Sequence, residues 1–160
     1  MAVHYCAGCW SEISEGRDSC PACGRSLVAD EAFVEKLFTA LHHPEPTRAQ
    51  LAIHILSEMM AEPRATLSLI DLLDTAGDAA VLRDTVVALG RFTDPRAVPA
   101  IASLRLHRAT PLMVRTAAVD ALGQIGGSGA RAVLESALVD PNAAVREGAR
   151  RVLSRERTRV

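Results

Sequence analysis

Aromatic residues are almost missing from this 160-residue chain, where three Phe, one Trp and one Tyr make up 3% of the composition. That scarcity argues against an aromatic-rich β-sandwich and against binding of single-stranded nucleic acid by base stacking. Lysine is scarcer still, Lys36 being the only one, and the formal net charge is -1. No uniformly basic surface therefore commits the whole protein to nucleic acid or an anionic membrane. No run of about 18 apolar residues occurs, and the start Met1-Ala-Val-His-Tyr-Cys lacks the positive and apolar regions of a secretory signal. The expectation is a cytoplasmic protein without a membrane span. What is plentiful is Ala, with 27 residues, and Leu, with 18, within a 49% apolar share. This suits closely packed helices and is enough for a core.

Only four cysteines are present, all between positions 6 and 23, and they read Cys6-Ala-Gly-Cys9 and Cys20-Pro-Ala-Cys23-Gly24. In a reducing compartment, paired thiols at short spacing are metal ligands or redox groups before they are structural disulfides. Two such turns can present four thiolates to one tetrahedral ion at about 2.3 Å, and the ten residues between them suffice for a hairpin. Pro21 stiffens the second turn, and Gly24 permits the tight backbone that aims amides at sulfur. A redox reading needs one pair beside a βαβ pattern, which is absent. On these residues the segment resembles a zinc ribbon over roughly residues 1–27. Rubredoxin-type iron knuckles set their two pairs much further apart, so the expected cofactor is one Zn2+ on Cys6, Cys9, Cys20 and Cys23. Four thiolates close the coordination sphere, which makes the ion structural. So short a segment is expected to be unfolded without metal. His4 is read as an exposed histidine, and Tyr5 and Trp10 as packing over the ribbon.

Asp30 can cap a helix whose apolar residues Phe33, Val34, Leu37, Phe38 and Leu41 share one face and which ends near His42-His43-Pro44. Beyond residue 46 the chain repeats itself. Leu56, Leu89, Leu122 and Leu153 stand 33, 33 and 31 residues apart. Four residues before each lies a small side chain (Ala52, Thr85, Ala118, Ala149), and three before come Ile53, Val86 and Val119, but then Arg150. That break is expected where the last helix has no further neighbour and meets water. Second helices are expected from Pro63 to Leu73, Pro95 to Leu106 and Ser128 to Val139, with Leu69/Leu72, Ile101/Leu104 and Leu134/Leu138 inward. A pair of about 33 residues cannot bury its faces alone, so the copies must stack.

Thr110-Pro-Leu-Met-Val-Arg115-Thr-Ala-Ala-Val-Asp-Ala-Leu-Gly123 and Asp140-Pro-Asn-Ala-Ala-Val-Arg146-Glu-Gly-Ala-Arg-Arg-Val-Leu153 resemble the first helix of a HEAT repeat. Asp94-Pro-Arg-Ala-Val-Pro-Ala-Ile-Ala-Ser-Leu104 resembles its second helix, in the short variety that also builds phycobilin lyases. The resemblance spans about residues 47 to 155, three full repeats and a terminal half. It implies an all-α fold: a short α-solenoid of about 3.5 helix pairs behind a small ribbon. The domains would be a ribbon at 1–27, a connecting or capping helix at 28–46 and the repeats at 47–160. In that family the arginine that here is Arg115 and Arg146 braces adjacent repeats. Leu82 and Ala49 occupy its column in the other copies, so those joints should be held differently.

Little in the chain points to catalysis. Gly123-Gln-Ile-Gly126-Gly127-Ser128-Gly129 follows a helix and lacks a Gly-Lys-Ser/Thr end, so it reads as an inter-helix turn. His42 and His43 are adjacent and point about 100° apart on a helix, near a C-terminus that favours cations. His54 and His107 stand singly. Deoxyhypusine hydroxylases, HEAT-repeat enzymes, bind iron through His-Glu pairs, and no His-Glu dipeptide occurs here. HEAT-like DNA glycosylases rely on aromatic and acidic groups, which the single Trp10 does not supply. No nucleophile turn stands out. The expectation is a chain that is not an enzyme.

Charge is polarised along the chain. Residues 28 to 82 carry three basic and nine acidic groups, and residues 83 to 160 carry thirteen arginines and seven acids. The leading expectation is a protein–protein interaction module that docks a protein partner on stacked second helices, with Arg105, Arg108, Arg131 and Glu135 as contributors. Arg150 and Arg151, with Arg155, Arg157 and Arg159, form a basic end able to meet phosphate, an acidic partner or the acidic half of a second copy. Nucleic-acid association through this arginine-rich half is the alternative. A tetrapyrrole-handling role like that of phycobilin lyases is a third reading.

Overall fold

A computed structural model describes residues 4–5, 9, 11–13, 17–26, 31–106 and 110–158. The chain divides into two compact units, Met1–Lys36 and Leu37–Val160. In the first, β1 (His4–Tyr5) pairs antiparallel with β2 (Glu12–Ile13), His4 opposite Ile13 and Tyr5 opposite Glu12. Helix α1 spans Glu31–Leu41. Asp30, its expected cap, lies outside the described residues.

The second unit is wholly helical among the described residues. Its first-position helices are α2 (Pro46–His54), α4 (Ala79–Phe92), α6 (Leu112–Ile125) and α8 (Ala143–Thr158). Its second-position helices are α3 (Ala65–Thr75), α5 (Val98–Leu106) and α7 (Gly127–Ala137). The first-position helices pack in succession, α2 on α4, α4 on α6 and α6 on α8, while α3 lies on α4, α5 on α6, and α7 on both α6 and α8. This is an all-α solenoid, as the repeat spacing requires.

Local chemistry sets the helix ends. Pro46 opens α2, where its missing N–H has no partner to lose. The Asp78 carboxylate accepts from the Ala80 and Val81 amides at 2.8 and 3.0 Å and starts α4. Gly126 and Gly127, at φ +69° and +81°, turn the chain between α6 and α7 in one step that side-chain-bearing residues resist. α2 continues into a π-type turn over Ile55–Met59, where Met60 N–H reaches the Ile55 carbonyl at 2.9 Å and Ser57 Oγ donates to the Ile53 carbonyl at 2.8 Å. The expected second helices form with shifted ends: α3 starts at Ala65 after a turn at Glu62–Thr66, and a 3-10 turn at Pro95–Ala97 precedes α5.

The core is the set of repeat columns. Leu56, Leu89 and Leu122 are fully buried and Leu153 is 4% exposed. Ala52, Thr85, Ala118 and Ala149 beside them are buried too, Thr85 by donating its hydroxyl to the Val81 carbonyl at 2.8 Å. Ile53, Val86 and Val119 are buried, whereas Arg150 is exposed and meets Glu147 at 3.4 Å. Close approach of the helices explains the small residues. A Cβ added at Gly90 would lie 2.9 Å from Ala121 Cβ, and one at Gly123 would lie 2.5 Å from Val152 Cγ1.

Leu122→Ala is expected to lower unfolding free energy by about 2–5 kcal/mol, because it opens a cavity in the middle of the stack. Leu67→Ala, at a 54% exposed position, should stay within about 0.5 kcal/mol. Denaturant titration of the two variants checks both values, and equal losses would contradict the column as the core.

Candidate metal centre and solenoid surface

The Cys20–Cys23 turn is built by the backbone. Cys20 N–H donates to the Arg25 carbonyl at 2.8 Å, Gly24 N–H donates to the Cys20 carbonyl at 2.9 Å, and Gly24 takes φ +70°. Ser19 and Ser26 bridge at its base. This turn carries Cys20 and Cys23 toward Cys9, and the three Sγ atoms lie within 4.8 Å of one another. Cys9 and Cys20 sulfurs are 3.6 Å apart. That separation is far beyond the ~2.05 Å of a disulfide. It is close to the ~3.8 Å edge of a tetrahedron of thiolates at about 2.3 Å from one ion. The donors therefore fit a metal. Cys6, the fourth expected ligand, lies outside the described residues, as does Trp10.

The surroundings favour thiolate. Ser11, which residue spacing did not single out, sits with its hydroxyl 2.9 Å from Cys9 Sγ and 3.4 Å from Cys20 Sγ. Its hydroxyl, followed by the Cys23 and Ala22 amides, brings the Cys20 pKa down to about 6, against burial, which raises it. Cys20 is 1% exposed, yet burial counts for less than the Ser11 and Cys23 hydrogen bonds. The Cys9 thiol is lowered as well, first by the Ser11 hydroxyl and then by the Ser11 amide. A depressed thiol pKa keeps thiolate available at neutral pH, and metal is lost as the pH falls through that range and protons compete.

On the solenoid, Arg115 and Arg146 converge on one loop. Arg115 Nη2 donates to both oxygens of the Asp140 carboxylate, a pair only 13% and 3% exposed. Arg146 Nη1 donates to the Asp140 and Pro141 carbonyls at 2.7 and 3.0 Å. Asp140, which also accepts from Asn142 N–H at 2.8 Å, is the acceptor that sequence inspection missed. Its signal was the Asp-Pro-Asn turn that precedes α8. In the copies without that arginine, Gln50 donates to Asp84 at 2.6 Å and Glu58 pairs with Arg91 between α2 and α4. Glu58 is held below the ordinary carboxylate range, chiefly by that arginine.

Of the expected partner-binding residues, Arg131 and Glu135 pair with each other at 3.1 Å on exposed α7 positions. Arg150 is exposed beside Glu147, and Arg151 Nη2 reaches Asp120 Oδ1 at 2.9 Å across to α6. Three arginines of the basic half thus each meet an acid of the same chain. Arg108 and the Arg105 side chain lie outside the described residues. His42 and His43 line a cavity of about 430 Å³ with Thr75, Asp78 and apolar residues from α2 to α4. Among the described residues, no helix is long and apolar enough to cross a membrane.

Comparison with protein families matches residues 67–154 to the family described as HEAT repeats. No curated protein matches the chain significantly. Among solved structures, human deoxyhypusine hydroxylase in complex with glycerol is similar, at 27% identity and a TM-score of 0.64 over 79% of this chain. The chain spans 44% of the length of that chain. This likeness overturns the expectation that the chain is not an enzyme, because the matching solenoid is an enzyme. The expectation rested on the absence of local catalytic motifs.

Ser11→Ala is expected to weaken metal retention about tenfold in a chelator competition, and to move acid release of metal to higher pH. Unchanged retention would remove Ser11 from the centre.

Proposed function

The chain belongs to the HEAT-repeat family, and from that premise we propose that it is a protein-docking module with one structural zinc ion held by Cys6, Cys9, Cys20 and Cys23. The observation that carries the zinc is the convergence of three sulfurs within 4.8 Å. An all-thiolate tetrahedral set suits zinc, leaves no open position for substrate, and supplies the folding energy that a short ribbon lacks. Arg115 and Arg146 serve as inter-repeat braces through the Asp140 loop. They hold the helix spacing on which a docking surface depends. The exposed Arg131, Glu135 and Arg150 positions on α7 and α8 form the docking surface, together with Arg105 and Arg108. Arg151 contributes through its pairing with Asp120.

The likeness to deoxyhypusine hydroxylase supports a second reading, an activity carried on the solenoid itself. Its candidate seat is the cavity bounded by His42, His43 and Asp78, whose volume of about 430 Å³ falls in the range of small-ligand sites, about 300–1,000 Å³. In this reading the docked protein is also the substrate.

Purified protein is expected to contain close to one equivalent of zinc, and a Cys20→Ser variant to contain less than about half. A wild type with that little zinc would overturn the assignment. For the docked partner, affinity capture with the intact ribbon should recover one client that Arg131→Glu/Arg150→Glu releases, and capture unaffected by the double variant would refute that surface. Incubation of this client with the protein should change its mass if the second reading holds, with the change abolished by His42→Ala/His43→Ala. An unchanged mass would leave docking without chemistry.

A further inference from the structure

The three described cysteines differ in access to solvent. Cys9 and Cys23 are exposed, whereas Cys20 is 1% exposed. Cys9 and Cys20 lie on separate segments with their sulfurs 3.6 Å apart, and the Ser11 hydroxyl touches both, at 2.9 and 3.4 Å. None of the three is in a disulfide. A disulfide holds its sulfurs ~2.05 Å apart, so closing the Cys9–Cys20 gap takes a displacement of about 1.5 Å, on the scale of side-chain rotation.

Exposure decides which sulfur a small oxidant meets first. Peroxide reaches Cys9 from solvent and is kept from Cys20 by burial. An exposed thiolate without a neighbour passes through sulfenic acid to irreversible acids, whereas a second thiol in contact intercepts the sulfenic acid as a disulfide. Cys20 stands in that place beside Cys9. Cys23 is exposed too, but it shares one short turn with Cys20. That turn is pinned by the Cys20 N–H bond to the Arg25 carbonyl and the Gly24 N–H bond to the Cys20 carbonyl, at 2.8 and 2.9 Å. A bond between Cys20 and Cys23 has to contract the turn against these hydrogen bonds. One between Cys9 and Cys20 closes the gap between two segments and leaves the turn as it is.

We propose that Cys9 and Cys20 are an oxidation site, at which hydrogen peroxide converts the pair to a disulfide, with Cys9 reacting first and Cys20 resolving it. The Cys9 thiolate attacks one peroxide oxygen: an S–O bond forms, the O–O bond breaks and hydroxide leaves, giving a sulfenic acid. The Cys20 thiolate then attacks the Cys9 sulfur: the S–S bond forms, the S–O bond breaks and a second hydroxide leaves. Each hydroxide takes a proton from solvent, so two electrons pass from the two sulfurs to one peroxide, which becomes two waters. The consequence for metal rests on the zinc reading proposed above. The disulfide withdraws two of the four thiolates, and Cys6 with Cys23 no longer completes a tetrahedral set. Metal is then released, and with it the folding energy of the ribbon. All four cysteines lie at or before position 23, so this chemistry acts on the first unit and leaves the repeats untouched.

Peptide mapping of the full-length, wild-type protein after hydrogen peroxide in modest excess tests the proposal, with released zinc followed in parallel by a colorimetric chelator. Cleavage after Arg17 and Arg25 puts Cys6 and Cys9 in one peptide and Cys20 and Cys23 in the next. The non-reduced digest should join these two peptides, and fragmentation should place the bond between Cys9 and Cys20. Zinc should appear in step with the bond, approaching one equivalent, and dithiothreitol should reverse the bond. Dimedone present during oxidation should mark Cys9 and leave Cys20 unmarked. A bond within either peptide, a cross-link through Cys6 or Cys23, or oxidation to sulfinic acid without any bond overturns the proposal, and so does protein left unchanged by peroxide. Zinc-free protein that still forms the Cys9–Cys20 bond upholds the oxidation site and refutes the zinc reading. Zinc-loaded protein that forms no such bond refutes the oxidation site alone.

Discussion

A pair of helices about 33 residues long carries more apolar surface than it can cover by itself, and this constraint shapes the whole repeat unit. Burying one leucine is worth about 1.5–3 kcal/mol, and Leu56, Leu89 and Leu122 reach full burial only because a neighbouring copy closes over them. The small residues follow from the same need. Gly90, Gly123 and Gly148 stand where the next or preceding helix leaves no comfortable room for a Cβ. Where neighbours end, the constraint changes sign, and Arg150 replaces the Val and Ile of its column.

The cysteine unit rests on different physics. It is too short to bury a core of its own. Three sulfurs within 4.8 Å, drawn toward thiolate by Ser11 and by backbone amides, would repel one another without a cation between them. In the proposed reading, a bound cation would be the folding term of this unit. On that reading one chain combines a segment ordered by coordination with a segment ordered by repetition, each with its own response to metal, pH and cavity-forming substitution.

How much of this was legible in the residues differs by feature. The leucine columns, the turn glycines and the paired cysteines were readable because each is a spacing imposed by geometry: helix period, left-handed backbone, tetrahedral donors. Ser11 and Asp140 were not, because one acts from beside a ligand and the other answers an arginine 25 residues before it, a pairing that no local spacing fixes. The π-type turn at Ile55–Met59 escaped for a related reason, since inserting a wide turn changes the face of later residues without changing their type. The absence of enzymatic character was inferred from missing local motifs, and the likeness to an enzyme, deoxyhypusine hydroxylase, overturns that inference. A solenoid can distribute a site over several helices.

Amide hydrogen exchange with and without a strong chelator tests the central claim, that one unit is held by metal and the other by repeat burial, most directly. Removal of metal should abolish protection at the amides of Cys20, Cys23 and Gly24, and leave the interiors of α4, α6 and α8 as slow as before. Protection of the cysteine segment that survives chelation, or loss of protection throughout the helices, would contradict it.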